Sequence, residues 1–538
     1  MKTNISKIVL GTFLASSVLM SGCIDEVIPT SMATEDQVTS SDMAAEAMLW
    51  AMPASMNQVA IVSKDWHFDW GYGSVMHIRD VMTGDMPIVS SGYDWYSPWE
   101  ENVSQAESNS YPQFIWNYYW NSVLTANKLL ASFDEETASE IQQGYMGAAY
   151  AYRAHFYLDM ARMFEYLPTD VTSGINKAGN DVTNLTVPIV TEKMSEQEAR
   201  NNPRVTREKM AEFILGDLTN AERLIGKLNI SDNVLPHLDV VQGLRAGGYM
   251  WLEDYANAKK YAREAIKEAS IVPMTEEQCL STSKGFNDIS RWMWGCQLVA
   301  EDASVKTGIL NWVSWMSNET SFGYSAQEPY LMIDARMYNR ISDTDFRKKL
   351  WKAPEGSALD GATAFLTSTE FGYFGDRLSA YSSVKFRPGE GNPDVPSTGA
   401  VSAYPLMRVE EMYFIEAEAA AHLSDAEGRK LLQDFMINYR DEKYSTNLSG
   451  EELIDEIVFQ KRVEQWGEGL TFFDIKRLDM PVERAYTGTN FSDAVRFNTT
   501  RRPAWMNISI VQTEKNNNKA LIGYENPDPS DKYEVIKK

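Results

Sequence analysis

Aromatic side chains that could bind sugars are concentrated in polar stretches of this 538-residue chain. The segment SGYDWYSPWEEN, residues 91–102, and the segment GILNWVSWMSNETSFGY, residues 308–324, interleave rings with carboxylates, amides and hydroxyls. An indole ring stacks on the apolar C–H face of a sugar, while carboxylates and amides exchange hydrogen bonds with the sugar hydroxyls. We therefore predict a glycan-binding surface built from Trp66, Trp95, Tyr96, Trp99, Asn102, Trp312, Trp315 and Tyr324.

A structural role for the same rings is the alternative. Most tryptophans are largely buried, so these rings could form a small core that holds long loops onto a helical frame. The two segments are far apart in the chain, and only the fold decides whether they meet. Among the five histidines, His67 is the one that could contact a ligand, because it lies between Trp66 and Phe68.

Catalytic and metal-binding motifs are missing from the sequence. It contains no G-x-S-x-G, H-E-x-x-H, Walker loop, G-x-G-x-x-G or EF-hand pattern, and its histidines lack ligand spacing. Glu464 and Glu468 lie beside Trp466 and Phe472 in a helical pattern, so we interpret them as members of a buried salt-bridge network rather than as an acid and a base. We predict no enzymatic activity, no catalytic residue, no metal and no cofactor.

The charge balance is strongly acidic, with a formal net charge of −25. Phosphate binding needs a basic surface, so this charge argues against nucleic acid as a partner. It also opposes binding to an anionic membrane surface. Cys279 and Cys296 could form one disulfide in an exported chain, and the sequence leaves that possibility open.

Hydrophobic residues recur mostly at steps of three and four, which predicts helices. The paired patterns at 235–252 and 255–270 resemble a tetratricopeptide hairpin, with small alanines where the two helices would meet. Between the helical stretches lie segments rich in Gly, Pro, Ser, Asn and Asp, which are typical of long loops. We predict a mainly α fold: a tetratricopeptide-like frame of helical hairpins with long irregular loops and a few short strands.

The predicted organisation is one domain over residues 41–538. Loops on a rigid frame are the usual place for a binding site, so we assign ligand binding to the two loop regions in which tryptophans are concentrated. The frame is predicted at about 41–60, 113–168, 204–270 and 404–478, and the binding loops at about 62–112 and 271–403.

Residues 1–22 have the layout of a secretory signal peptide, with two lysines, an apolar run and small residues at the end. The stretch MSGC, residues 20–23, resembles the lipobox of bacterial lipoproteins, in which the cysteine becomes the lipidated first residue of the mature chain. We predict that Cys23 is lipidated, that residues 23–40 form a linker, and that lipid is the only membrane attachment. The acidic pair after the cysteine is similar to the signal that directs lipoproteins of the Bacteroidetes to the cell surface.

Two C-terminal segments carry a family resemblance. YPLMRVEEMYFIEAEAAA, residues 404–421, and FQKRVEQWGEGLTFFDIKRL, residues 459–478, closely resemble the signature segments of the SusD/RagB family of nutrient-binding outer-membrane lipoproteins. Further matches include ANKLL at 126–130 and YSSVKF at 381–386. The resemblance implies the SusD-like fold.

The same resemblance implies a lipid-anchored protein of the outer membrane, exposed at the cell surface. Such a protein captures oligosaccharides or polysaccharides for a SusC-like TonB-dependent outer-membrane transporter. Some family members capture peptides, so a RagB-like peptide or glycopeptide ligand is the first alternative. A surface glycoside hydrolase and a protein-binding scaffold are the less favoured ones.

Overall fold

Helices form the frame of the structure, a computed structural model that describes residues 42–537. The predicted signal peptide, Cys23 and the linker lie outside the described residues. The longer helices are α1 (Asp42–Met56), α2 (Tyr72–Val81), α3 (Ser110–Ala131), α4 (Glu140–Phe164), α5 (Arg207–Ile225), α6 (Leu238–Trp251), α7 (Tyr255–Glu268), α8 (Val409–Leu423), α9 (Asp425–Tyr439), α10 (Glu451–Glu464) and α11 (Thr471–Arg477).

The longer helices other than α2 lie within the stretches predicted to be helical. Helix α2 lies inside the segment predicted to be loop, and that part of the prediction is wrong. All ten residues of α2 are buried, including the polar side chains of His77, Arg79 and Asp80. It follows Gly71, whose φ of 89° belongs to the left-handed region and whose missing Cβ would lie 2.2 Å from the carbonyl oxygen of Met56.

Helix α4 begins at a capping box and ends at Phe164, four residues before Pro168. The Ser139 side chain accepts a hydrogen bond from the Gln142 N–H, and the Gln142 side chain accepts one from the Ser139 N–H. At the other end Glu165 leaves the helical conformation. Its carboxylate accepts hydrogen bonds from Arg207 and from the indole of Trp251, which tie the end of α4 to α5 and α6.

Successive helices pack as antiparallel pairs, which confirms the tetratricopeptide-like frame. Asp254 caps α7 by accepting a hydrogen bond from the Asn257 N–H, so α7 begins soon after α6 ends. The buried residues of α7 are Ala258, Ala262 and Ala265, and their small side chains allow α7 to approach α6 and α8 closely.

Replacing either of two helical glycines with alanine should have opposite effects on the free energy of unfolding. A Cβ at Gly147 of α4 would lie 2.7 Å from the backbone nitrogen of Ile225, so Gly147→Ala forces the two helices apart. We expect a loss of about 1–3 kcal/mol in the free energy of unfolding. Gly216 of α5 is exposed and meets nothing within 4 Å, so Gly216→Ala should raise stability by up to about 1 kcal/mol. Urea denaturation of both variants measures the contrast, and equal effects would contradict it.

Strands are few and short. Strand β1 (Trp294–Gln297) pairs antiparallel with β4 (Ala403–Met407), and β2 (Thr367–Ser368) pairs antiparallel with β3 (Gly372–Tyr373). Short helical segments lie at Ser97–Glu100, Glu196–Ala199, Glu276–Leu280, Ile289–Arg291, Ala303–Lys306, Trp312–Met316, Ser325–Gln327, Ala335–Arg340, Phe346–Leu350, Phe374–Arg377, Gly389–Gly391, Pro396–Gly399, Asp493–Val495, Ala504–Met506, Gln512–Asn517 and Lys519–Leu521.

The two cysteines that could have formed a disulfide are both free thiols and both buried. Cys296 lies on β1, where its thiol donates a hydrogen bond to the side-chain oxygen of Asn57. Burial raises the pKa of each thiol to about 12. Both side chains therefore serve as small core residues.

Charged side chains at the C-terminal helices form a buried network, which confirms the interpretation of Glu464 and Glu468. Glu464 accepts hydrogen bonds from Arg440 at 2.7 Å and from Arg408 at 3.1 Å. Glu468 accepts from Arg408 at 2.8 Å and from Lys385 at 2.6 Å. Burial alone would raise the pKa of Glu464, but Arg440 and Arg408 hold it well below its usual range. The network links α10 to the strand-to-helix junction before α8.

Candidate functional site

The two aromatic loop segments meet in the fold beside His67, where three exposed or partly exposed rings lie next to the buried Tyr324. We call His67, Tyr93, Trp95 and Tyr324 the ring platform. The rings of His67 and Trp95 lie 4.6 Å apart, and those of His67 and Tyr324 lie 5.6 Å apart, measured between centroids. The Tyr324 hydroxyl shares a hydrogen bond with His67 Nδ1. Tyr93 is 54% exposed, and Trp95 and His67 are partly exposed.

The ring platform is uncharged at neutral pH. Burial lowers the pKa of His67, and the nearby Asp65 carboxylate opposes that shift only in part. Burial raises the pKa of Tyr324 to about 12, although a hydrogen bond from Trp95 acts to lower it. Neutral aromatic faces suit the C–H face of a neutral sugar, because no charge has to be desolvated when the rings meet.

Buried hydrogen bonds hold the loop that presents His67. The Asp69 carboxylate accepts hydrogen bonds from the backbone N–H groups of Ile61 at 2.9 Å, Val62 at 2.6 Å and Ser63 at 3.1 Å. Asp69 itself is fully buried. The loop is therefore fixed before any ligand arrives, which lowers the entropy cost of binding. Trp66 lies on the same loop, partly buried, and stacks on Phe68 at 5.7 Å.

Most of the predicted binding rings lie beneath the ring platform rather than on it. Trp315 stacks on Tyr324 at 3.9 Å, and Tyr96 meets Trp315 edge to face at 4.9 Å. A buried ring offers no face to a sugar, so the predicted stacking role is wrong for these rings. Trp315 and Tyr96 support the platform, whereas Trp312 packs on Trp70 and Tyr404. The buried rings are Tyr96, Trp99, Trp312 and Trp315.

Asn102 and Tyr324 also differ from the prediction. Asn102 has a φ of 54°, a conformation that asparagine tolerates better than most residues, and its side chain is buried rather than free to meet a sugar hydroxyl. Tyr324 is 6% exposed, because one face of its ring lies on Trp315 and its hydroxyl is bonded to His67. Of the eight predicted residues, Trp95 and Trp66 keep partly exposed rings.

Tyr93 was missing from the predicted set. It follows Ser91 and Gly92, and Gly92 has a φ of 79°. An added methyl group at Gly92 would meet no atom within 4 Å, so the turn lies in solvent. The signal in the sequence was this small, polar turn before an aromatic residue, which pushes the ring into solvent. His67 carried a similar signal, since it is the polar member of an aromatic triplet.

A buried histidine beneath the site gives the stability a pH dependence. His77 packs edge to face on Tyr96 at 4.3 Å, and neither ring nitrogen has a hydrogen-bond partner among residues 42–537. Burial lowers the pKa of His77 to about 3, below the value near 6.5 that it has when unfolded. As the pH falls below about 6.5 the unfolded chain takes up this proton and the folded chain does not, so stability is lost.

We expect His77→Phe to reduce that loss of stability. Between the two pKa values, His77 should make the free energy of unfolding change with pH by a slope approaching about 1.4 kcal/mol per pH unit. The variant should lack this contribution. Urea denaturation of both proteins, above and within this window, measures the slope. An identical slope in His77→Phe would show that His77 is charged in the folded protein.

Asp94 and Glu100 are two carboxyl groups near the ring platform that share a hydrogen bond. Burial raises the pKa of Asp94, and burial together with the charge of Asp94 raises the pKa of Glu100 well above its usual range. Two carboxyl groups in direct contact are closer than the separation of about 5 Å or more that flanks a scissile glycosidic bond.

Metal clusters and membrane-spanning helices are both absent from the part of the chain that the structure describes. Among residues 42–537, no group of three or more His, Cys, Asp or Glu side chains is arranged to hold a metal ion. In the same residues, no helix combines the length and the apolar character needed to cross a bilayer.

Two family models match the chain. Residues 33–238 match a SusD-like family described as starch-binding and associating with the outer membrane. Residues 378–534 match the SusD family model. No match was found among curated proteins.

Solved structures share the fold at low sequence identity. A SusD-like carbohydrate binding protein from Bacteroides vulgatus is 21% identical, with a TM-score of 0.68 over 88% of this chain and 96% of that one. A SusD superfamily protein from Bacteroides thetaiotaomicron is 18% identical, with a TM-score of 0.65 over 91% and 99%. A SusD superfamily protein from Bacteroides fragilis is 18% identical, with a TM-score of 0.63 over 90% and 99%.

Proposed function

The chain belongs to the SusD family, and on that premise we propose that it captures oligosaccharides at the cell surface and delivers them to a SusC-like TonB-dependent transporter. Capture takes place on the ring platform. The reaction requires no bond to be made or broken, only a reversible contact that releases the glycan to the transporter.

The exposed, preorganised rings of His67, Tyr93 and Trp95 are the observation that carries this proposal. Their loops are held by buried hydrogen bonds and by a second layer of rings, so little order is lost on binding. Asp65 is exposed beside the platform and can accept hydrogen bonds from sugar hydroxyls. A relative of similar fold is named as a carbohydrate binding protein, which supports the same ligand class.

The anchor and the domain organisation complete the proposal. Cys23 carries the lipid, residues 23–40 form the linker, and residues 41–538 form one domain in water at the outer face of the outer membrane. The support is the lipobox-like sequence and the family model described as associating with the outer membrane. Lipid is the only membrane attachment, and no nucleic acid is a partner, in keeping with the net charge of −25.

Affinity electrophoresis tests this function. The chain from residue 24 onward, which contains every described residue, is run through gels containing plant, fungal or host polysaccharides. We expect one or more polysaccharides to retard it, with no shortened glycan released on prolonged incubation. Release of products would support a surface glycoside hydrolase instead. Migration unchanged by every polysaccharide would contradict glycan capture and favour a peptide or glycopeptide ligand.

A further inference from the structure

A second pocket with sugar-binding chemistry lies on the helical frame. It has a volume of about 200 Å³ and is formed by the middle of α3, the loop around residues 188–202 and the segment 512–518. Its walls combine one large aromatic side chain with carboxyl groups, amides and a guanidinium group. The residues that matter here are Trp120, Glu196, Arg200, Asn202, Glu514 and Asn518.

Trp120 forms the aromatic wall of this pocket and is held by other rings. Its ring lies 5.5 Å from that of Trp116 and meets Tyr157 edge to face at 6.2 Å. The side chain is partly exposed, while its indole N–H is buried and has no hydrogen-bond partner among the described residues. The wall is therefore held rigidly by its contacts with the neighbouring rings.

The polar wall is also fixed in place. The Asn518 amide donates to the Glu514 carboxylate at 3.0 Å and to the Asn202 carbonyl at 2.7 Å. Burial raises the pKa of Glu514, and hydrogen bonds from Asn518 and Trp116 oppose that rise only in part. No cationic side chain contributes to the shift. Arg200 pairs with Glu196 at 2.6 Å on the solvent side, where both side chains are largely exposed.

This pocket is separate from the ring platform. Tyr111, near the start of α3, packs on Phe68 and Trp99 below the platform. Trp120 follows nine positions later on the same helix, which is about 13 Å further along the axis and half a turn around it. One helix therefore connects the two sites but presents them on opposite faces.

We propose that this pocket is a second glycan subsite that binds one sugar ring, a terminal or side-branch unit. The proposal rests on the proposed function, because it assumes that the ligand is a glycan. The volume is below the range of roughly 300–1,000 Å³ typical of sites for drug-sized ligands, so the pocket holds a single ring rather than a chain. The Trp120 face stacks on the ring, and Glu514 and Asn202 bond its hydroxyls.

Fluorine NMR distinguishes the two sites in one sample. The chain from residue 24 is labelled with 5-fluorotryptophan, and Trp95→Phe and Trp120→Phe identify the two resonances by their loss. The probes are galacto-, gluco-, manno- and xylo-oligosaccharides, each added alone. We expect at least one probe to shift the Trp120 resonance, in wild type and also in Trp95→Phe.

Glu514→Gln tests the polar wall while keeping its shape. We expect affinity at Trp120 to fall at least about tenfold, since hydrogen bonds to a charged group are the stronger kind. Trp50→Phe, a partly buried tryptophan on α1, is the control that should change neither resonance. Shifts at Trp95 without any at Trp120 would overturn the second subsite and leave the proposed function standing. Absence of shifts at both tryptophans would overturn both.

Discussion

Replacing Glu464 with alanine should lower the free energy of unfolding by about 3–5 kcal/mol, because it leaves buried cations without their partner. Glu464 bonds Arg440, Arg408 and Arg347, and each of these arginines has at most a few per cent of its side chain exposed. Removing this one carboxylate therefore takes away a charge partner of three buried arginines. Urea denaturation of the purified variant measures the loss.

A glutamate on the same helix provides the matched control. Glu452 is exposed on α10, so Glu452→Ala should change stability by no more than about 0.5 kcal/mol. A small effect of Glu464→Ala would mean that water reaches the arginines and that the network is not buried.

Trp95→Ala should weaken binding of the retarding polysaccharide by about 10- to 100-fold, or about 1.4–2.7 kcal/mol. Trp95 combines a partly exposed face with a ring contact to His67 and a hydrogen bond to Tyr324, so its loss removes both a stacking surface and a support. Affinity electrophoresis over a series of polysaccharide concentrations measures the change.

Two further variants separate a direct contact from a structural effect. Trp50→Ala removes an indole from α1 and should leave the retardation unchanged. Tyr93→Ala removes a ring that is 54% exposed, and it should weaken binding without lowering the melting temperature. If Trp95→Ala binds as wild type does while remaining folded, the ring platform is not the capture site.

The helical frame could be predicted from the sequence because its apolar residues recur at helical spacing. Spacing of three and four residues located α4 and the α6–α7 pair, and the alanines of α7 marked a close helix contact. Helix α2 was not found in this way, because it is only ten residues long and lies in a stretch rich in Gly, Ser and Asp, a composition typical of loops.

The sequence did not predict which rings of the aromatic segments are exposed. Sequence neighbours such as Trp95 and Trp99 share the same polar surroundings, yet the first is partly exposed and the second is buried against Phe68 and Tyr111. Composition cannot separate them, because burial depends on contacts between distant segments. Trp312 is buried for the same reason, since it stacks on Tyr404 of β4.

The most direct test of glycan capture on the ring platform is a crystal structure with an oligosaccharide from the retarding polysaccharide. We predict a sugar ring parallel to Trp95, within about 4–4.5 Å, with hydroxyls facing His67 and Asp65. A ligand bound on a face of the molecule that contains none of His67, Tyr93 and Trp95 would contradict the account.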